Sequence, residues 1–474
     1  MAQSAPVMDS AMGNGHSSTS IGELLAATVG RAVRYLESLH DRGVAPSAEA
    51  VDALAGFDVA LPDEPAAPDT VLRQLDELGS PATMAMAGPR FYGFVIGGSL
   101  PAALAANWLA SAWDQNAGLY NVTPAASRLE QIALRWLLDV LRLPPECGAA
   151  FVTGTTVANF SALAAARRAV LQRVGWNVEA DGLFGAPPIT VIVGAEAHPT
   201  VLKALGMLGL GRNRVVTVPA DSQGRMIADA LPPLSGPIIV CAQAGNVNTG
   251  AVDPVGDICR RAHAAGAWVH VDGAFGLWAR SAPSRAHLAE GVDAADSWAT
   301  DLHKWLNVPY DSGVAFVRDR TALQAAMAIS AEYLPTETEH RNPSDFTPEL
   351  SRRARGVDIW AALRSLGRSG VAELVERNCR QARRFAEALS ASGYRVLNDV
   401  VLNQVLVSFG DAEVTNRVIA GIQADGTCWC GGTVWQGRTA MRISVSSWAT
   451  TDADVERSID AMLRVAAEQR RGSG

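Results

Sequence analysis

The chain runs to 474 residues, 48% of them hydrophobic and only 19% charged. That is enough for two or three domains at about 150 residues each, and for a large core that needs no disulfide or metal staples. Forty basic residues against 48 acidic ones leave a formal charge of −8, which argues against the basic face that nucleic acid or an anionic membrane requires.

The most apolar stretch, Leu100 to Trp113, is broken by Asn107 and falls short of the roughly 18 apolar residues of a membrane span. The first twenty residues are rich in Ser, Gly, Ala and Met and lack the basic and apolar regions of a signal sequence. They read as a disordered tail on a cytoplasmic chain. Six cysteines (147, 241, 259, 379, 428, 430) show no C-x-x-C spacing, so reduced thiols and no metal site are expected. Cys428 and Cys430 flank Trp429; two apart on a strand, they point the same way and rarely bridge.

Apolar residues at helical spacing predict an amphipathic helix over Ile21 to Leu39, from Ile21, Leu24, Leu25, Val29, Val33 and Leu36. Val44 to Pro68 is rich in Pro, Ala and Asp and reads as loop, followed by a short helix over Val71 to Leu78. Longer helices are expected over Pro101 to Ala112 and Ala126 to Leu143, the second stopped by Pro144-Pro145. From Ala149 the texture changes to short, nearly continuous apolar runs: 150–153, 189–193, 215–218, 238–241, 268–271, 297–299 and 314–317. Such runs are strands buried on both faces. Helical stretches at 159–174, 199–208 and 254–265 separate most of them. This βαβ alternation predicts an α/β fold with a mostly parallel sheet of seven strands between helices, whose function gathers at the carboxyl ends of the strands. From Arg355 the pattern becomes a smaller α+β module: helices 357–368 and 371–389, strands near 395–396, 404–409 and 441–445, and a closing helix 453–468.

Three of the strand ends carry chemistry. Phe151-Val152-Thr153 runs through Gly154-Thr155-Thr156 into a helix. The free amides and positive dipole end of that helix, together with the threonine hydroxyls, suit an anion, although alone the turn is an ordinary threonine cap. Trp268-Val269-His270-Val271 ends in Asp272-Gly273-Ala274. A buried carboxylate there needs a partner, and a cationic ring nitrogen would suit it; a capping aspartate is the plainer alternative. Ser297 to Asp301 leads into Leu302-His303-Lys304-Trp305. A lysine among apolar neighbours is poised as an amine nucleophile, unless its stem is buried and its head reaches water.

In this order the three match the needs of pyridoxal 5′-phosphate (PLP), and here the sequence resembles the fold-type I PLP enzymes. More narrowly it is similar to the group II amino-acid decarboxylases, which include the aromatic L-amino-acid decarboxylases. The resemblance rests on His270-Val271-Asp272-Gly273-Ala274 and on Asp301-Leu302-His303-Lys304-Trp305-Leu306, and it runs from about Pro89 to the last helix. It implies that Lys304 forms an aldimine with the cofactor, that Asp272 pairs with the pyridine nitrogen, and that His198 and Ala274 lie on opposite faces of the ring. It further implies that Gly154, Thr155, Thr156 and His303 serve the phosphate, and that Asn246 or Asn248 bonds the ring hydroxyl or the substrate carboxylate. Pro89-Arg90-Phe91-Tyr92-Gly93-Phe94 resembles the family's pocket-lining segment, so Phe91, Tyr92, Phe94 and Trp305 are expected at the substrate, with core packing as the alternative for the segment. Trp108 and Trp448 are further pocket candidates, and Arg90 or Arg442 would serve a substrate with a distal carboxylate. Ser351, in Ser351-Arg352-Arg353, is expected at or near the cofactor of a partner subunit.

The same resemblance implies a homodimer divided into a tail (1–20), a helical segment wrapping the partner (21–95), a large PLP domain (96–350) and a small domain (351–474). The expected reaction is decarboxylation of an L-amino acid, aromatic by the character of these pocket residues, to the amine and CO2. One departure matters. The family's loop ahead of the Arg-Arg pair carries a tyrosine that protonates the product carbon, and Thr338 to Thr347 contains none. Protonation then falls to His340, His303, Tyr333 or water. Oxidative deamination to an aldehyde, or another carbon–carbon lyase reaction, is the alternative.

Overall fold

The computed structural model describes residues 20–329 and 340–471. Two compact units divide the chain after Ala85. In the first, helix Ile21–Ser38 starts at a capping box in which Ser20 and Glu23 satisfy each other's amide. Arg31 ties this helix to Asp69 at 2.9 Å. The expected loop over 44–68 instead carries helix Ala48–Asp52, capped by Ser47, and a 3-10 turn Ala53–Phe57.

The second unit is built on a seven-stranded sheet of β1 (Gly148–Val152), β2 (Thr190–Gly194), β3 (Val216–Val218), β4 (Ile238–Gln243), β5 (Trp268–Asp272), β6 (Ser297–Asp301) and β7 (Gly313–Val317). Its spatial order is β1-β7-β6-β5-β4-β2-β3. β7 alone runs antiparallel, against both β1 and β6, so the sheet is mostly parallel as predicted. β1, β4, β5, β6 and β7 are buried along their whole length, which is why they read as continuous rather than alternating apolar runs. Helix Thr155–Gln172 presents Ala158, Ala162, Leu163, Ala165 and Ala166 as fully buried positions. The four alanines among them let it lie close to the sheet.

A second sheet, ordered β10-β11-β9-β8, comprises β8 (Arg395–Val396), β9 (Gln404–Ser408), β10 (Gly431–Trp435) and β11 (Arg438–Ser444). Strand β10 and helix Ala412–Asp425 were not foreseen. β10 opens on a glycine pair and is half exposed, so it lacks the apolar signal of the others. The two helices expected at 357–368 and 371–389 form one long element, Gly356–Ala391, broken at Gly367 by a positive φ of 61°, a conformation that glycine adopts without strain. All six cysteines are free and buried. Among the described residues no helix is long and apolar enough to cross a membrane.

Candidate active site

The ends of β1, β4, β5 and β6, and the turn following β2, converge on a cavity of about 360 Å³. It is lined by Gly154, Thr155, Thr156, His198, Asp272, Ala274, His303 and Lys304. This is where a parallel sheet gathers its functional groups.

β5 delivers Asp272, whose Oδ1 accepts the Ala274 amide at 3.2 Å and whose Oδ2 accepts Asn159 Nδ2 at 3.2 Å. Burial pushes this carboxyl above its ordinary range, while His198, Lys304 and the two hydrogen bonds pull the other way. Behind Asp272 runs a directed chain. His270 is fully buried, and desolvation pushes its pKa down to about 3, so it is neutral and carries one proton. The Asn159 amide nitrogen is committed to Asp272, so Asn159 Oδ1 must accept from His270 Nε2, 2.9 Å away. His270 Nδ1 then accepts from Ser297 Oγ at 2.9 Å, and Ser297 accepts the Trp268 Nε1 proton at 2.9 Å. Every donor in this chain points toward Asp272.

β6 delivers Asp301 and, past its end, His303 and Lys304. Lys304 Nζ lies 2.8 Å from Asp301 Oδ2. The Leu302 and His303 amides both donate to the Ser312 carbonyl, at 3.0 and 3.1 Å, and pin this turn to the start of β7. His303 Nδ1 accepts the Ser312 amide at 3.0 Å, which places its proton on Nε2, 3.4 Å from Asp301 Oδ1. Burial lowers the His303 pKa, partly countered by Asp301. The Tyr310 ring stacks on the imidazole at 4.2 Å. His198 caps helix Pro199–Met207, its Nδ1 accepting the Thr200 amide at 3.3 Å; burial lowers its pKa, with Asp272 opposing.

At β1 the glycine-threonine turn is tightly housed. A Cβ on Gly313 would sit 2.5 Å from Gly154 Cα, so this glycine lets β7 approach the turn. The Thr155 hydroxyl is buried and without a hydrogen-bond partner among the described residues, an orphaned polar group at a helix start of the kind an anion satisfies.

The family model described as "Pyridoxal-dependent decarboxylase conserved domain" matches residues 51–410. The chain is a member of the pyridoxal-dependent decarboxylase family. Among its relatives, Tryptophan decarboxylase 1 of Oryza sativa subsp. japonica is 29% identical over 80% of each chain. L-2,4-diaminobutyrate decarboxylase of Rhizobium meliloti (strain 1021) is 30% identical over 77% of this chain and 75% of its own. The crystal structure of Oryza sativa TDC with PLP and tryptamine shares the fold, with a TM-score of 0.87 at 24% identity over 94% of this chain and 98% of that one.

The residues present in this decarboxylase fit its cofactor. The orphaned Thr155 hydroxyl is a donor that a phosphate oxygen would satisfy, and in the same lining the Asp272 carboxylate would suit a ring nitrogen and Lys304 an aldehyde. Asn246 and Asn248 lie outside this lining. Asn246 is buried, its Oδ1 accepting the Asn248 and Thr249 amides and its Nδ2 donating to the Glu196 carbonyl; the Asn248 side-chain Oδ1 accepts from the Thr433 hydroxyl. Ser351 sits at the surface and bonds Asn116 at 3.3 Å. The substrate-pocket reading is corrected for three of its four residues. Residues 90–92 are sewn onto the small sheet, through Tyr92 N to the Trp429 carbonyl and Ser444 N to the Tyr92 carbonyl, both 2.9 Å. Phe91 is therefore buried against Trp429, and Tyr92 packs on Phe385 with its hydroxyl 3.2 Å from Ser458. Trp305 is buried too, donating to Asn378 at 3.0 Å. Only Phe94 lines the cavity, at a strained φ of 55°.

Neither Trp108 nor Trp448 lines the cavity: Trp108 is on the outer face of its helix and Trp448 bonds the Ser99 carbonyl. Arg90 is buried on Asp454 and the Thr427 carbonyl, whereas Arg442 lines the cavity. His340 packs tilted against the Tyr120 ring at 4.0 Å, and Tyr333 lies outside the described residues. Sequence reasoning missed Asp301, Asn159, Gln243 and Phe275. Asp301 sits in the Asp301-Leu302-His303-Lys304 motif and Asn159 at a helix start, and neither position carries a local signal of its distant partner.

Proposed function

We propose that this decarboxylase converts an aromatic L-amino acid to its amine and CO2, as a cytoplasmic homodimer. The observation that carries the proposal is the single cavity shared by Lys304, Asp272 and His198, with Phe94 and Phe275 among its walls. When bound, the cofactor supplies an electron-withdrawing ring that takes up the electron pair of the bond broken at the substrate's α-carbon.

The chain's own groups do the rest. The turn Gly154-Thr155-Thr156 holds the phosphate and so fixes the cofactor's orientation. Asp272, whose charged form the Asn159 and Ala274 donors favour against burial, would hold a proton on the ring nitrogen. Lys304 offers its amine, while His198 and Ala274 confine the ring from either side. His303 Nε2 is a proton-bearing atom at the cavity wall, beside Asp301, whereas His340 packs on Tyr120. These groups work by orientation and preorganised charge.

Phe94 supports an aromatic substrate: it is 62% exposed at the cavity and is steadied by stacking on Trp429 at 5.6 Å. Arg442 in the wall would repel the side-chain ammonium of a diamino acid. A second copy of the chain is supported by helix Ile21–Ser38, which leaves Ile21, Leu25, Val29, Val33 and Leu36 exposed along one stripe. A monomeric mass by light scattering would count against the dimer.

A CO2-release screen tests the reading. Tryptophan, tyrosine or phenylalanine should react and Lys304→Ala should not; release from glutamate or 2,4-diaminobutyrate alone would overturn the substrate class. The lack of tyrosine in 338–347 favours a second reading, an aldehyde product. A relative named 4-hydroxyphenylacetaldehyde synthase, from Rhodiola rosea, is 24% identical over 92% of each chain. Amine with CO2 alone supports the first reading; aldehyde with ammonia and peroxide supports the second.

A further inference from the structure

Asp301 closes β6 with a side chain only 4% exposed. Its Oδ1 accepts the Thr155 amide at 2.6 Å, and its Oδ2 meets Lys304 Nζ at 2.8 Å. The Thr155 amide belongs to the first turn of helix Thr155–Gln172, one of the free donors that make a helix start attractive to an anion. The chain has thus placed a carboxylate of its own on the terminus where a phosphate would seat. The fit is close: a Cβ on Gly154 would come within 3.2 Å of Asp301 Oδ1 and 3.1 Å of His303 Cε1. Directly beside that occupied amide, the Thr155 hydroxyl stays unpartnered.

We propose that Asp301 is a positioning residue that shares one helix terminus with the cofactor's phosphate, so that its charge sets how tightly a phosphate-bearing ligand is held. This rests on the reading above that the phosphate seats at residues 154–156. Two anions on one helix start repel, and Lys304 and His303, both paired with Asp301, offset part of that repulsion. In return the carboxylate holds the lysine amine at the cavity wall and ties it through Thr155 to the phosphate turn. A neutral acceptor at 301 would keep the amide satisfied and lift the repulsion.

The test uses the full chain stripped of cofactor, with inorganic phosphate, PLP and pyridoxal, the same aldehyde without its phosphate, as probes. Asp301→Asn is expected to tighten inorganic phosphate about tenfold by calorimetry, and to raise the ratio of PLP to pyridoxal affinity by a similar factor. A merely structural role would move both aldehydes together and leave that ratio alone. Asp301→Ser repeats the charge test should the Asn variant not fold. Unchanged or weaker phosphate binding in a folded neutral variant overturns the proposal. Wild-type protein that binds PLP without Lys304-dependent visible absorbance would overturn the site reading and this proposal together. Normal absorbance with an unaltered ratio overturns the proposal alone.

Discussion

Asn159→Ala probes the buried chain behind Asp272. Asn159 is fully buried, its amide nitrogen donating to Asp272 Oδ2 and its oxygen accepting from His270 Nε2. Truncation removes a hydrogen bond to a carboxylate, worth about 1.5–3 kcal/mol, and leaves the His270 N–H unpaired at a cost of about 1–3 kcal/mol. The sum, about 2.5–6 kcal/mol, is a large part of the ~5–15 kcal/mol that holds a domain together. The two shares separate in a His270→Phe background, where no imidazole proton is left stranded. There Asn159→Ala should cost about 1–3 kcal/mol less, read from urea midpoints as a double-mutant cycle. Losing its donor should also drive the Asp272 pKa further up, the direction in which burial already pushes it. PLP affinity followed by visible absorbance across pH should then lose its acid side. Equal destabilisation in both backgrounds, together with an unmoved pH profile, would refute the directed chain.

Two further predictions concern charge. His270 falls from an ordinary 6.5 to about 3 because burial penalises its cation, so below pH 6.5 the unfolded chain binds a proton that the fold refuses. Its contribution to stability is therefore complete above 6.5 and drains away toward pH 3 at about 1.4 kcal/mol per pH unit; His270→Phe should flatten stability against pH by one proton, and parallel curves would sink the idea. Glu130 is buried, which alone would raise its pKa, yet Arg352 at 2.7 Å and Arg341 at 3.0 Å bring it below the usual range. Glu130→Gln keeps an acceptor but strands two buried guanidinium groups, and about 3 kcal/mol should be lost in urea unfolding; a change under about 0.5 kcal/mol would show the triad to be idle.

Much of this was legible along the chain because it is written in local pattern. Seven apolar runs, their spacing by helices and the breaks around them sufficed for the parallel sheet, since burial on both faces leaves a continuous signature. Strand β10 left none, because a half-exposed edge strand that opens on two glycines carries no such pattern. The sequence by itself also determined where Lys304, Asp272, His198 and the 154–156 turn would meet, because each follows a strand end and strand ends of a parallel sheet share one rim.

Only the tertiary structure decided what surrounds them. Phe91 and Tyr92 are aromatic beside a pocket-lining residue, yet two backbone hydrogen bonds to the small sheet turn them into core while Phe94 faces the cavity. Asn246 has the right chemistry and spends it on its own turn. Asp301 reaches Thr155 across 146 positions of chain, and Asn159 reaches Asp272 across 113. Helical and strand periodicity reports which face of an element is buried. It carries no record of which polar atom across the fold a buried group will find, and in this cavity such pairings bear on the charge of Asp272, Asp301 and His303.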